Sequence, residues 1–199
     1  MSAPLAACAV LAAGASARMG GQKLLLAVDG RTLLDRALAA TAGYPTVVVA
    51  SPAVREAVPP AAGRRVVVNA EPDRGMTHSL RIADALVDPE SSLVVVLADT
   101  PLVDAALIAR MAGALGDADV AFPVRGGRPG HPVVFGPRAR RALGALPEGD
   151  TLRVLRDDPR WRRIEVQVDG PAPFTDVDTP ADLAALDPAG GTQTPLSGV

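Results

Sequence analysis

Leu11-Ala12-Ala13-Gly14-Ala15-Ser16-Ala17-Arg18-Met19-Gly20-Gly21-Gln22-Lys23 closes an apolar run over residues 5–12 and decides the fold. The run has the length and the unbroken apolarity of a strand buried on both faces. The residues after it are first small, then cationic. Small side chains let backbone N–H groups approach an anion, and Gly14 permits a sharp turn. Arg18 can fork two phosphate oxygens, while Lys23 is a point charge suited to an oxygen whose charge grows. The same residues also describe a plain Gly/Ala turn with two surface cations, and spacing alone leaves both readings open. The stretch is neither a Walker A loop nor Gly-x-Gly-x-x-Gly, so a dinucleotide-binding reading lacks its fingerprint.

Working outward, short apolar runs alternate with helical spacing. Strands are expected at residues 46–50, 65–69, 93–98, 120–123 and 164–168, with a short one at 132–135. Helices are expected at 32–42, 52–58, 76–86, 104–115, 138–146, 151–157 and 179–186, with Thr32 as a cap and Pro180 in a first turn. Strand alternating with helix predicts an α/β fold: a three-layer, Rossmann-like, mostly parallel sheet with helices on both faces. Right-handed crossovers then gather the loops at the strand C-termini along one edge, where ligands bind. One domain over residues 1–187 is expected, followed by a Gly/Thr/Pro/Ser-rich tail over 188–199.

Nearly half the residues are apolar but only one Trp, one Tyr and three Phe are present, so the core must be Ala, Val and Leu. The net charge of −2, with both signs dispersed, asks for neither nucleic acid nor a membrane surface. Most arginines read as solvated surface. The single cysteine, Cys8, lies in the first strand and reads as core filler; no internal disulfide can form. No basic leader and no apolar stretch near ~20 residues is present, so a cytoplasmic protein is expected.

Carboxylates supply a second constellation. Asp99 follows the central strand, where a side chain enters the ligand cleft; Asp99-Thr100-Pro101 is also ordinary turn chemistry. Asp176 and Asp178 alternate in an extended segment and face the same way, and Asp178 stands where it could cap the last helix. Magnesium is usually held by one or two carboxylates with phosphate oxygens and water.

Residues 11–26, LAAGASARMGGQKLLL, resemble the signature of the MobA-like nucleotidyltransferases, and within it the molybdenum cofactor cytidylyltransferase branch. Members that transfer guanylyl groups usually carry Leu-Ala-Gly-Gly where this chain has Leu11-Ala12-Ala13-Gly14. The likeness spans residues 5–186 through several spaced motifs. It implies that Leu11, Ala12, Ala13 and Gly14 line a nucleotide, that Arg18 contacts its phosphates and that Lys23 sits near the α-phosphate. Lys23, Arg18 and Asp99 are then the catalytic residues, and Asp99 and Asp178 hold Mg²⁺, with Mn²⁺ as a substitute. Gly75-Met76-Thr77-His78-Ser79-Leu80-Arg81 resembles the family's Gly-Met-x-x-Ser-Leu-Arg and places Gly75, Met76 and Ser79 at base and ribose. Arg81 reads equally as surface, and His78 as an ordinary helix-surface histidine. Arg128, His131 and Asp150 fall in segments resembling the acceptor side. Three departures stand there: Thr100 for the family's Gln, Pro129 before Gly130, and Leu152 in place of a small residue. The resemblance implies transfer of CMP from CTP, favoured over GTP by the methyl of Ala13, onto a molybdopterin-type phosphate. Another phosphorylated acceptor, or a binding module without turnover, are the competing readings. It implies further a transient contact with a molybdoenzyme or its chaperone.

Overall fold

The computed structural model describes residues 6–14, 22–147 and 152–186. Arg18 and Asp150, and the expected tail at 188–199, lie outside them. The chain forms β1 (Ala6–Ala12), a hairpin of β2 (Ala27–Val28) and β3 (Arg31–Thr32), α1 (Leu33–Ala40), β4 (Thr46–Ala50), α2 (Pro52–Arg55) and β5 (Arg64–Val68). It continues with α3 (Met76–Asp84), β6 (Ser92–Leu97), α4 (Ala105–Leu115), β7 (Val120–Arg125), β8 (Arg128–Pro129) and β9 (Val133–Phe135). The last elements are α5 (Pro137–Arg140), α6 (Leu152–Asp157), β10 (Arg163–Gln167) and α7 (Pro180–Leu186).

The main sheet has the order β10-β7-β9-β6-β1-β4-β5, with β8 paired on β7. β1 lies parallel between β6 and β4, in register Leu11↔Leu97 and Leu11↔Val49. Strand alternation divides the core into two layers. Cys8, Val10 and Ala12 face one layer with Leu34 and Leu38 of α1 and Ile108 and Met111 of α4. Ala9 and Ala13 face the other, with Leu80 of α3, Ala139 of α5 and Leu155 of α6. This is the three-layer, mostly parallel α/β arrangement expected. The Cys8 thiol is buried, and burial pushes its pKa up to about 12, so it stays protonated.

One local expectation is corrected. The segment at 138–146 is not one helix: α5 stops at Arg140, and a separate 3-10 turn occupies Leu143–Ala145. Arg81 of α3 takes its carbonyls, with Nε donating to Leu143 O at 3.0 Å and a guanidinium nitrogen donating to Leu146 O. Arg81 is therefore a tie between segments, not a surface residue. The short strand at β9 runs antiparallel to both β6 and β7. Gly126 and Gly127 have φ of +56° and +77°, which reverses the chain after β7. A parallel return would need a crossover of about a dozen residues, and this connection has no room for one.

Candidate active site

β1 sits where neighbouring strands lead away in opposite directions, β4 on one side and β6 on the other. Such a switch point opens a crevice beyond the strand C-termini. A cavity of about 260 Å³ lies there, walled by Leu11, Ala13, Gly14, Lys23, Pro72, Gly75, Met76, Ser79 and Asp99 among others. The structure thus gathers Leu11, Ala13, Gly14, Lys23, Gly75, Met76, Ser79 and Asp99 around one space. Ala12 does not line it: its side chain packs into the layer beneath, with α1 and α4.

Lys23 begins a one-turn 3-10 helix and is buried. Its Nζ donates to Asp99 Oδ2 at 2.8 Å, to Asp178 Oδ1 at 2.9 Å and to the Val177 carbonyl at 2.7 Å. Burial pulls the ammonium pKa down, but the hydrogen bonds and charges of Asp99 and Asp178 outweigh it, and the net shift is upward. Lys23 is therefore charged at all ordinary pH.

Distant parts of the chain meet here through backbone pins. Ala98 N–H donates to Leu11 O at 3.1 Å, which seats the end of β6 beside β1. Val177 N–H donates to Asp99 O at 2.9 Å, and the Val177 side chain is fully buried. That pin carries Asp178 to Asp99; Asp176, one step of the alternation away, is exposed. Asp178 does not cap α7. Thr179 does: its Oγ1 accepts from Asp182 N–H at 3.2 Å, and the Asp182 carboxylate accepts from Asp178 and Thr179 N–H at 3.1 and 2.7 Å. Asp178 is thereby left for Lys23. Thr100, where the family has Gln, is buried and donates from Oγ1 to Leu97 O at 2.7 Å. It closes the turn after β6.

The pair Asp99 and Asp178 offers hard oxygen donors close enough to share one ammonium, and that chemistry fits magnesium or manganese. Among the described residues no cluster of three or more His, Cys, Asp or Glu could hold a metal by itself. Two carboxylates leave the remaining positions to substrate oxygens and water, as a metal–triphosphate site requires.

His131 lies near enough to Asp99 for that carboxylate's charge to act on its ring. Its N–H donates to Pro173 O at 2.8 Å, and its Nδ1 is shielded from solvent with no partner among the described residues. Burial lowers the imidazole pKa to about 4; the charges of Asp99 and Asp176 oppose this and that of Arg156 adds to it. The ring is neutral at pH 7. Arg128 is exposed, with its guanidinium 5.8 Å from the Phe174 ring centre. His78 is half-buried, 3.9 Å from Glu71.

Sequence reasoning missed two features. Asn69, fully buried, holds Ser79 through Nδ2 at 3.0 Å. The β2–β3 hairpin, turning at Asp29-Gly30 with φ of +50° and +71°, precedes α1. An Asp-Gly pair is a hairpin signal.

The model of the MobA-like NTP transferase domain family matches residues 8–164. The chain belongs to this family. A molybdenum cofactor guanylyltransferase of Xanthomonas euvesicatoria pv. vesicatoria is 32% identical over 185 residues, 89% of this chain and 92% of that protein. The bifunctional protein GlmU of Maricaulis maris is 40% identical over 147 residues, 69% of this chain but 32% of its own length. The chain therefore spans about a third of the GlmU relative. Among solved structures, Rv0371c of Mycobacterium tuberculosis H37Rv superposes with a TM-score of 0.82 at 32% identity, covering 94% of this chain and 98% of that one. A manganese complex of Rv0371C superposes with a TM-score of 0.79 at 28% identity, covering 94% of this chain and all of that one. No described helix is long and apolar enough to cross a membrane.

Proposed function

We propose that this protein transfers CMP from CTP, with Mg²⁺ or Mn²⁺, onto the phosphate of a molybdopterin-type acceptor and releases pyrophosphate. The observation that carries the proposal is the convergence of Asp99 and Asp178 on Lys23 beside a cavity of about 260 Å³ that Lys23 and Asp99 line. A phosphate oxygen of the acceptor attacks the α-phosphorus; the new P–O bond forms as the bond to the β-phosphate bridging oxygen breaks. The nucleophile is already anionic, so no general base is needed. Catalysis is then positioning and neutralisation of charge. Lys23, fixed by three acceptors, offers a cation beside the phosphates. Asp99 and Asp178 would hold the divalent ion, whose part is to neutralise phosphate oxygens. Arg18, which falls outside the described residues, would contribute a second cation, and Asp150 an acceptor contact. His131, neutral at pH 7, gives hydrogen bonding without charge to an acceptor flanked by Arg128.

Cytidine is favoured because Ala13 is buried in the cavity wall. A methyl there narrows the space for a base, worth about 1–3 kcal/mol of discrimination. The guanylyltransferase relative makes GTP the principal competing donor, and a sugar phosphate represents the competing reading of another phosphorylated acceptor.

Pyrophosphate release with CTP, GTP and ATP, each with Mg²⁺ and either molybdopterin or a sugar phosphate, separates these readings. CTP with molybdopterin is expected to give the highest kcat/KM. Faster turnover with GTP would overturn the reading of Ala13, and turnover only with a sugar phosphate would overturn the acceptor. CTP should also raise the melting temperature, increasing with the logarithm of its concentration above Kd, since it binds the folded state.

A further inference from the structure

Glu71 N–H donates to Asn69 Oδ1 at 2.8 Å. A backbone N–H can only donate, so this contact fixes which way the Asn69 amide is turned. The opposite end, Nδ2, then faces Ser79 Oγ at 3.0 Å and must donate to it. Asn69 is fully buried and Ser79 nearly so, so this polarity is not exchanged with solvent. A hydroxyl that accepts from one side still carries its own proton. Among the described residues no acceptor for that proton is found, and Ser79 lines the cavity.

We infer that Asn69 is a positioning residue that frees the Ser79 hydroxyl proton for donation to an acceptor atom of the nucleobase, cytosine O2 if the donor is CTP. The inference rests on the proposed function for the identity of the base. It adds a cause for selectivity other than the size of Ala13. Cytosine offers the neighbouring acceptors O2 and N3. The corresponding edge of guanine carries the donors N1–H and N2–H₂ beside the acceptor O6; against those donors the hydroxyl can only accept through its second lone pair, which leaves its own buried proton unpaired. A site built to donate rejects a ligand that also donates, because buried polar groups are then left unsatisfied. Gly75 brings this helix to the cavity: its φ of +87° is open to glycine and strained for other residues, and it begins α3 one turn before Ser79.

Asn69→Asp tests the polarity directly. At pH 8 the carboxylate still accepts from Glu71 N–H but now also accepts from Ser79, so the hydroxyl turns inward and presents lone pairs to the cavity. Calorimetric Kd values for CTP and for ribose 5-triphosphate, which lacks the base, are measured with Mg²⁺ on the wild type, Asn69→Asp, Ser79→Ala and the double variant. Each single variant is expected to lose about tenfold in CTP affinity, the loss of one hydrogen bond. None should lose affinity for ribose 5-triphosphate, and the double variant should be no worse than the singles for CTP. A folded Asn69→Asp that keeps wild-type CTP affinity overturns the inference, as does equal loss for both ligands. Should Asn69→Asp not fold, Ser79→Ala decides on the same two ligands. A wild type that binds neither ligand would strike the proposed function itself, and one that prefers GTP would remove the cytosine contact together with the cytidine assignment.

Discussion

At Lys23 one ammonium is shared by two carboxylates, so a substitution there acts on chemistry and on stability together. Lys23→Met leaves Asp99 and Asp178 facing each other. Both are partly exposed, with side chains 27% and 42% accessible, so solvent screens much of their repulsion. The expected loss is about 1 kcal/mol, read as a lower urea midpoint in metal-free buffer. Added Mg²⁺ or Mn²⁺ should narrow that deficit, because a divalent ion replaces the missing charge. Nucleotidyl transfer should fall by about 100-fold or more. Because the Lys23 pKa is raised, its stabilising contribution is fully present below the unfolded value near 10.5 and is lost as pH rises through the folded one. Asp99→Ala should abolish transfer and weaken Mn²⁺ binding while the chain stays folded; retention of most of the rate would remove Asp99 from the catalytic set. Other single residues were less legible. Arg140 reads as surface in a sequence where most arginines are, yet it is buried. Its Nε meets Asp84 at 2.6 Å and its guanidinium takes the carbonyls of Asp88 and Ser91. No spacing marks such a tie, because its partners, the Asp84 carboxylate at the end of α3 and backbone oxygens of the loop after it, lie far away in the chain.

Elements carry these residues into place, and one close approach governs the segment proposed to meet the acceptor. Gly130 follows β8, and a Cβ built there would stand 2.4 Å from Pro173 O and 2.7 Å from the Phe174 ring. No side chain fits without moving the 171–175 segment away from the hairpin. Gly130→Ala is therefore expected to cost about 1–3 kcal/mol, measured by chemical unfolding. It should also raise KM for the acceptor more than for CTP, since His131 is the next residue and its N–H holds Pro173 O. A variant with equal effects on both substrates would detach this segment from the acceptor side. Strands were the most legible elements: unbroken apolar runs at 93–98 and 46–50 could only be buried on both faces, and they are. The 138–146 helix was misread because helical spacing says nothing about a guanidinium from α3 that claims the carbonyls at its end. The antiparallel β9 was hidden for a similar reason. Its direction is set by the Gly126-Gly127 reversal, not by its own composition.

For the molecule as a whole, the alternation of strands and helices foretold the three layers, and two signals foretold the cleft: small residues after β1 and a carboxylate after β6. Neither could reveal that Val177 pins Asp178 to Asp99, since that contact joins residues far apart in the chain. The same long-range packing half-buries His131 and shields its Nδ1 from solvent, and this makes a property of the entire fold measurable. In the unfolded chain its imidazole takes a proton near pH 6.5, while in the folded protein burial holds the pKa at about 4. Between these values the unfolded state binds a proton that the native state does not, so stability falls as the pH is lowered through that window and is unaffected by this group above it. The full shift corresponds to on the order of 3 kcal/mol. Carboxylates begin to titrate near the bottom of the window, so its upper part, from about pH 6.5 to 5, isolates the histidine contribution. Urea unfolding across this range should show a decline for the wild type that is reduced in His131→Gln. An unchanged slope in the variant would mean that His131 protonates as readily in the folded chain as in the unfolded one, so that burial does not hold the ring neutral below pH 6.5.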